Sequence, residues 1–263
     1  MKLTLLFHEI KQNRLSLIVW TAVLSVMLGI CIAIYPEMQT QMGDIGKMFS
    51  DMGAFSDAFG MDQLNFGEFM GYFGVECGNT LGIGGALLAA ILGISALSKE
   101  ERDNTSELLL TLPISRRRVV TEKLLVCVFH IFVTNLAIFV VSMLGAVAIS
   151  ADADFGQMAL ILLSYLLMQI EIMAITFGLS SLLKRGGLGI GIGIGFGFYF
   201  MSIIANLSEE LEFIKYLTPF GFANSSYIIS EGTLEPISLI VGAILAAAGI
   251  ILAYWQYDRK DIA

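Results

Sequence analysis

Charge is what this 263-residue chain has least of: 14% of its residues are Asp, Glu, Lys or Arg. A soluble domain carries about 25%. Proline is nearly absent, with 4 residues, and cysteine is rare, with 3. The shortage of charge excludes a soluble globular enzyme, a disordered chain and a nucleic-acid binder. Three thiols are too few for a disulfide scaffold. Cys31 and Cys77 both fall near the ends of apolar runs, which leaves a bridge between them or two buried thiols. What the chain has instead is apolar surface. Hydrophobic residues make up 56% of it, and its mean hydropathy is +0.79. Its solvent is lipid.

Apolar runs of about 18 residues or more are candidate membrane spans. There are six, over 15–35, 80–97, 124–150, 158–183, 188–207 and 237–257. The first run is too long for the apolar region of a secretion signal and is read as a retained span. The expected fold class is an all-α integral membrane protein, a single six-span domain over 1–263. Residues 1–14 place Leu3, Leu6, Phe7 and Ile10 at helical spacing among Lys2, Lys11 and Arg14, so an amphipathic helix on the membrane surface is expected there. Long outer loops are expected over 36–79 and 208–236.

Orientation follows from the basic residues. Thirteen of the 15 Lys and Arg fall in alternate connecting segments that include both ends; only Lys47 and Lys215 fall in the others. Both termini are therefore expected in the cytoplasm. Fourteen of the 23 Asp and Glu fall on the opposite side. The net charge of −8 is thus a property of the outer face.

The one sizeable inner loop, 99–123, reads KEERDNTSELLLTLPISRRRVVTEK. Its first half is acidic, with an apolar face of Leu108, Leu109, Leu110 and Leu112. Pro113 ends that helix, and Ser115 stands where a second helix beginning at Arg116 needs an N-cap. A short amphipathic helix of this kind suits a groove on a soluble partner.

Here the sequence resembles the membrane subunit of type-2 ABC exporters. Glu101, Thr105, Glu107, Leu109, Leu110, Pro113, Ser115, Arg116 and Lys123 follow that family's pattern "E…GT-x-E-x-LL…P-x-SR…K". Asn104 departs from it, where the family often has glycine. Glu9, Ile10 and Lys11 followed by Trp20 resemble its first segment, and the stretch Leu217, Thr218, Pro219, Phe220 also agrees. The resemblance implies that Glu101, Thr105, Glu107, Leu109, Leu110, Pro113 and Arg116 belong to a coupling helix docked on a separate cytosolic ATP-binding subunit. It implies a pore built by two permease chains, identical or different, in the cell membrane of a bacterium. ATP and Mg would sit on the partner; this chain binds no cofactor and no metal, has no catalytic residue, and meets lipid rather than nucleic acid. No phosphate-binding loop is present, since Gly43-Asp44-Ile45-Gly46-Lys47 lacks the spacing. The implied function is outward movement of an amphipathic or hydrophobic substrate: a drug, an antibiotic peptide or a lipid.

Several intramembrane features carry two readings each. Glu171 lies mid-span beside Gln169, where a charge costs about 3 kcal/mol. It is either a cation or proton site, or hydrogen-bonded to His130, Asn135 or Gln169. The first reading would make the chain an ion- or proton-coupled secondary transporter or channel. Gly78 and Gly82 in the second span, and Gly191 and Gly195 in the fifth, lie at i+4 spacing. They serve tight packing within the chain or a dimer seam and flexible gate. A second stripe in the fifth span comprises Gly189, Gly193 and Gly197. Residues 36–79 also carry Met38, Met42, Met48, Met52, Met61 and Met70 among phenylalanines. These form amphipathic helices over the outer mouth, or a Cu(I) site.

Overall fold

The spans fold as helices, because apolar runs in a bilayer must satisfy their backbone amides internally. A computed structural model describes residues 4–50, 64, 67–99, 114–183, 187–207 and 209–259. All regular elements among the described residues are helical. They are α1 (Thr4–Ser50), α2 (Phe69–Cys77), a π-helical stretch (Gly78–Gly85), α3 (Ala86–Ala96), α4 (Arg116–Ala148) and α5 (Phe155–Ser180). Then follow α6 (Leu188–Leu207), a 3-10 helix (Glu209–Leu217), α7 (Ser225–Glu231) and α8 (Pro236–Arg259). Six helical stretches are long and apolar enough to cross a membrane: Leu5–Thr40, Phe69–Ala96, Arg116–Ala148, Phe155–Ser180, Leu188–Leu207 and Pro236–Arg259.

Three boundaries differ from the sequence reading. Residues 1–14 do not form a separate helix over their described part; they open α1, which continues into the first span without a break. Nor does that span stop at Pro36. The helix runs on to Ser50, although proline removes one ladder hydrogen bond. Tertiary contacts hold both sides of it: Tyr35 Oη donates to Gly67 O at 3.1 Å and its ring meets Phe69 edge-on at 5.2 Å, and Gln39 Nε2 donates to the same carbonyl at 3.5 Å. The second span starts at Phe69 rather than near residue 80. Glycines and Glu76 dilute the hydropathy of 69–79, yet Phe69, Tyr72, Phe73 and Val75 are buried. The expected outer loop 36–79 is therefore helical at both its ends.

The caps are local and legible. Ser115 accepts from the Arg118 amide, and Asp154 from the amides of Gly156 and Gln157. Glu235 caps α8, accepting from the Ser238 amide at 2.5 Å. Burial alone would push the Glu235 carboxyl up; hydrogen bonding from Ser238 and the Ile237 amide, with the charge of Lys215, holds it below the usual carboxylate range.

α5 is the central element, packed on α3, α4 and α8. Where it crosses α3 and α8 the backbones touch. A Cβ at Gly93 would collide with Thr176 and Met173 of α5, and one at Gly249 with Ala174. α1 lies along α4, with Leu24, Leu28 and Ile32 facing inward and Thr21 Oγ1 bonded to Thr134 Oγ1 at 2.9 Å. The outward faces are apolar. Leu15, Ile18, Val23, Val26 and Ile30 of α1, Phe132, Leu136 and Leu144 of α4, and Ile240, Ile244 and Ile251 of α8 are all exposed. A surface this apolar suits hydrocarbon rather than water.

Candidate functional site

The coupling residues Glu101, Thr105, Glu107, Leu109, Leu110 and Pro113 lie outside the described residues. What the structure describes is the frame on either side of them. α3 ends at Ala96 and leads through Lys99 into that segment; α4 leaves it at Arg116.

The first two turns of α4 close three other helix ends. A helix leaves its first amides and last carbonyls without partners, with partial positive charge at the start and negative at the end. Glu122, an anion, accepts from the Leu6 amide in the first turn of α1 at 2.9 Å. Lys123, a cation, donates to the carbonyl of Ala96, the last residue of α3, at 2.6 Å. Arg116 donates to Asp258 O at 3.1 Å and Tyr257 O at 3.4 Å, in the last turn of α8. Each end thus receives charge of the sign its dipole favours.

Ion pairs reinforce the arrangement. Glu9 of α1 stands 3.5 Å from Lys123 and 3.9 Å from Lys99. Arg118 Nε donates to Glu122 Oε1 at 2.6 Å. Arg117 Nε pairs with Asp258 Oδ2 at 2.8 Å, and Thr121 shares a hydrogen bond with Tyr254 at 2.7 Å. Glu9, Glu122 and Lys123 are buried. Arg116, expected from the sequence to be a coupling residue, sits within this collar. Glu9, Lys99, Arg117, Glu122 and Lys123 were not singled out as site residues, though Glu9 and Lys123 fall in the family-like patterns. The signal available was the adjacent pair Glu122-Lys123, one charge of each sign just inside a span.

The four polar residues expected together in the membrane separate into two places. Asn135 Nδ2 donates to Gln169 Oε1 at 2.7 Å and to Ile131 O at 2.9 Å. His130 is buried on the same helix as Asn135, its Nε2 without a hydrogen-bond partner among the described residues. Glu171 joins none of them. Residues two apart on a helix face different ways, so Gln169 points at Gly85 of the second span while Glu171 points at Gly242 of α8 and Phe222. The expected hydrogen bond from Glu171 to His130, Asn135 or Gln169 is absent, and its Oε2 has no hydrogen-bond partner among the described residues.

The glycine stripes also divide. Gly191 and Gly195 lie on α3: a Cβ at Gly191 would meet Ala90 O at 3.1 Å, and one at Gly195 would meet Leu87 Cδ2 at 3.2 Å. This is a seam inside the chain. Gly189, Gly193 and Gly197 have nothing within 4 Å of a Cβ position. Gly78 faces the Tyr165 hydroxyl, and Gly82 faces Phe220 and Tyr199. Cys31 and Cys77 are both free thiols. Met52 and Met61 lie outside the described residues, as do the side chains of Met42 and Met48; no metal-binding cluster occurs among the described residues.

Six helices long and apolar enough to cross a membrane define a multi-pass membrane protein, and Glu9, Glu122 and Lys123 form a buried charge cluster at one end of it. The ABC-2 family of transporter proteins matches residues 3–262, and the chain belongs to that family. Among curated proteins none matches the chain. The chain is thus the membrane component of an ABC transport system, from a family of transport components.

Proposed function

We propose that this chain is the permease subunit of an ATP-driven exporter, moving an amphipathic or hydrophobic substrate such as a drug, an antibiotic peptide or a lipid outward. A separate cytosolic subunit carries ATP and Mg and docks on residues 99–113 through Glu101, Thr105, Glu107, Leu109, Leu110 and Pro113. The observation that carries this reading is the collar at residues 116–123. It fastens the segment leaving the docking loop to the ends of α1, α3 and α8. A push on that loop therefore reaches three spans at once, as coupling requires. Both termini then lie in the cytoplasm, in keeping with the basic residues collected at the same end, Lys11, Arg14, Lys99 and Arg116 among them. A second permease chain completes the pathway. The open stripe of Gly189, Gly193 and Gly197 offers the close helix approach such a contact uses.

The test is affinity capture of the tagged chain from detergent extracts, with ATPase assay of what accompanies it. An ABC ATPase should co-purify, and Glu107→Ala or Pro113→Ala should abolish the association without lowering the amount of permease in the membrane. An oligomer of this chain alone, from extracts in which other ABC complexes survive, refutes the reading and leaves a secondary transporter centred on Glu171.

A further inference from the structure

The second span is one continuous helical run from Phe69 to Ala96, but its middle is not α-helical. Residues Gly78–Gly85 form a π-helix, GNTLGIGG. Such stretches are rare, are mostly a single turn, and recur at functional sites. Four of these eight residues are glycine, the residue that stabilises a helix interior least apart from proline.

Both halves touch α5, but their other fastenings differ. Above the stretch, Tyr72 Oη donates to Cys31 O of α1 at 2.9 Å, and Ser225 of α7 donates to Gly74 O at 3.0 Å. The Phe69 ring meets Tyr35 at 5.2 Å and stacks on Phe73 at 5.9 Å. Below it, α3 is locked to α5 through Gly93, to α6 through Gly191 and Gly195, and to α4 through Lys123.

Between these anchors the packing is uneven: a Cβ at Gly84 would collide with Leu24 and one at Gly85 with Gln169, whereas Gly78 and Gly82 have room. A Cβ at Gly78 would stand 3.4 Å from Tyr165 Oη, and one at Gly82 3.4 Å from Phe220 Cε1, both ordinary contacts. At Gly93 and Gly249 a Cβ would meet backbone. Close approach therefore explains Gly93 and Gly249 and does not explain Gly78 or Gly82. The region is also under-satisfied in polar terms. The Thr80 hydroxyl, within the stretch, and the Gln169 amide nitrogen, against Gly85, are buried without hydrogen-bond partners among the described residues. Groups left this way carry a desolvation cost in this arrangement.

We infer that Gly78–Gly85 is a hinge in the second span. About it α3 and the segment beyond it change angle relative to α2, which Ser225 of α7 holds at Gly74. This goes beyond the coupling reading and does not depend on it, because hinge flexibility belongs to the chain itself.

The experiment is hydrogen–deuterium exchange by mass spectrometry on the full chain in lipid nanodiscs, wild type beside the Gly78→Ala/Gly82→Ala variant. In the wild type, amides of 78–85 should exchange faster than those of 86–96 by about tenfold or more. Two alanines favour the regular helix, so exchange in 78–85 should slow by about tenfold in the variant while 86–96 is unchanged. Equal protection of the two segments in the wild type overturns the hinge, as does a folded variant whose exchange in 78–85 matches wild type. Should the double variant fail to insert, Gly78→Ala alone carries the comparison, with about a threefold slowing expected. None of these readings uses the ATP-binding partner, so failure of the hinge and failure of the coupling assignment are separable.

Discussion

Removing Lys123 is the most informative single perturbation of the collar. Lys123 is 3% exposed and Glu9 7%. At 3.5 Å and an effective dielectric near 20, their attraction is about 5 kcal/mol before desolvation is subtracted. The net worth of such a pair is small, but deleting one member strands the other, at about 3–5 kcal/mol. Lys99, 3.9 Å from Glu9, retains part of the compensation, so the lower end applies. Lys123→Met should therefore cost about 3 kcal/mol, roughly a hundredfold in the folded-to-unfolded ratio. Glu9→Gln strands Lys123 less severely, because the Ala96 carbonyl still accepts from it at 2.6 Å; about 2 kcal/mol is expected. The double variant leaves no buried charge unpaired at this point and should cost less than the sum by about 1–3 kcal/mol. The assay is SDS-induced unfolding in mixed micelles, followed by fluorescence of Trp20, which packs against the core on α1. Costs that add to within about 0.5 kcal/mol would refute the claim that the two residues act as one ionic unit. Arg117→Ala is the internal control. Its bond to Asp258 is shorter, at 2.8 Å, but Arg117 is 78% exposed, so its loss should cost far less than that of Lys123. Burial rather than distance sets the order.

Two further outcomes follow from the last span. Gly242→Ala places a methyl against the Glu171 carboxylate and should destabilise the bundle by about 1–3 kcal/mol. Glu171→Ala should restore most of that loss in the same unfolding assay; a Gly242→Ala defect untouched by Glu171→Ala would disprove the contact. Glu235 should make stability depend on pH. Its folded-state carboxyl lies below the ordinary range, so its contribution is complete above the unfolded value of about 4.3 and fades as pH falls through the folded value. The stability difference between wild type and Glu235→Gln, measured from about pH 7 down to pH 3, should shrink over that acid range. A difference that stays constant or grows would be contrary.

The sequence alone determined the number of spans, their order and the helical class, because a bilayer demands long apolar runs with internally bonded backbones. It also placed the cap at Ser115, which depends only on a side chain and an amide three residues ahead. The segment proposed to dock was legible as a pattern of acid, leucine, proline and base. Helix limits at Pro36 and Phe69 were not legible, since distant contacts from Gly67, Tyr72 and Ser225 outweigh local propensity there. The collar was invisible for the same reason: Glu122 and Lys123 matter for the helix ends they reach, and those ends are remote in sequence. Gln169 and Glu171 read as neighbours along the chain, yet a rotation of about 200° between them sends one toward the π-helical stretch and α4 and the other toward α8. Likewise the two glycine stripes of the fifth span are equivalent in spacing. Only packing decides that Gly191 and Gly195 press on α3 while Gly193 faces outward. Periodicity shows that a helix has faces; what each face meets is fixed by the rest of the fold.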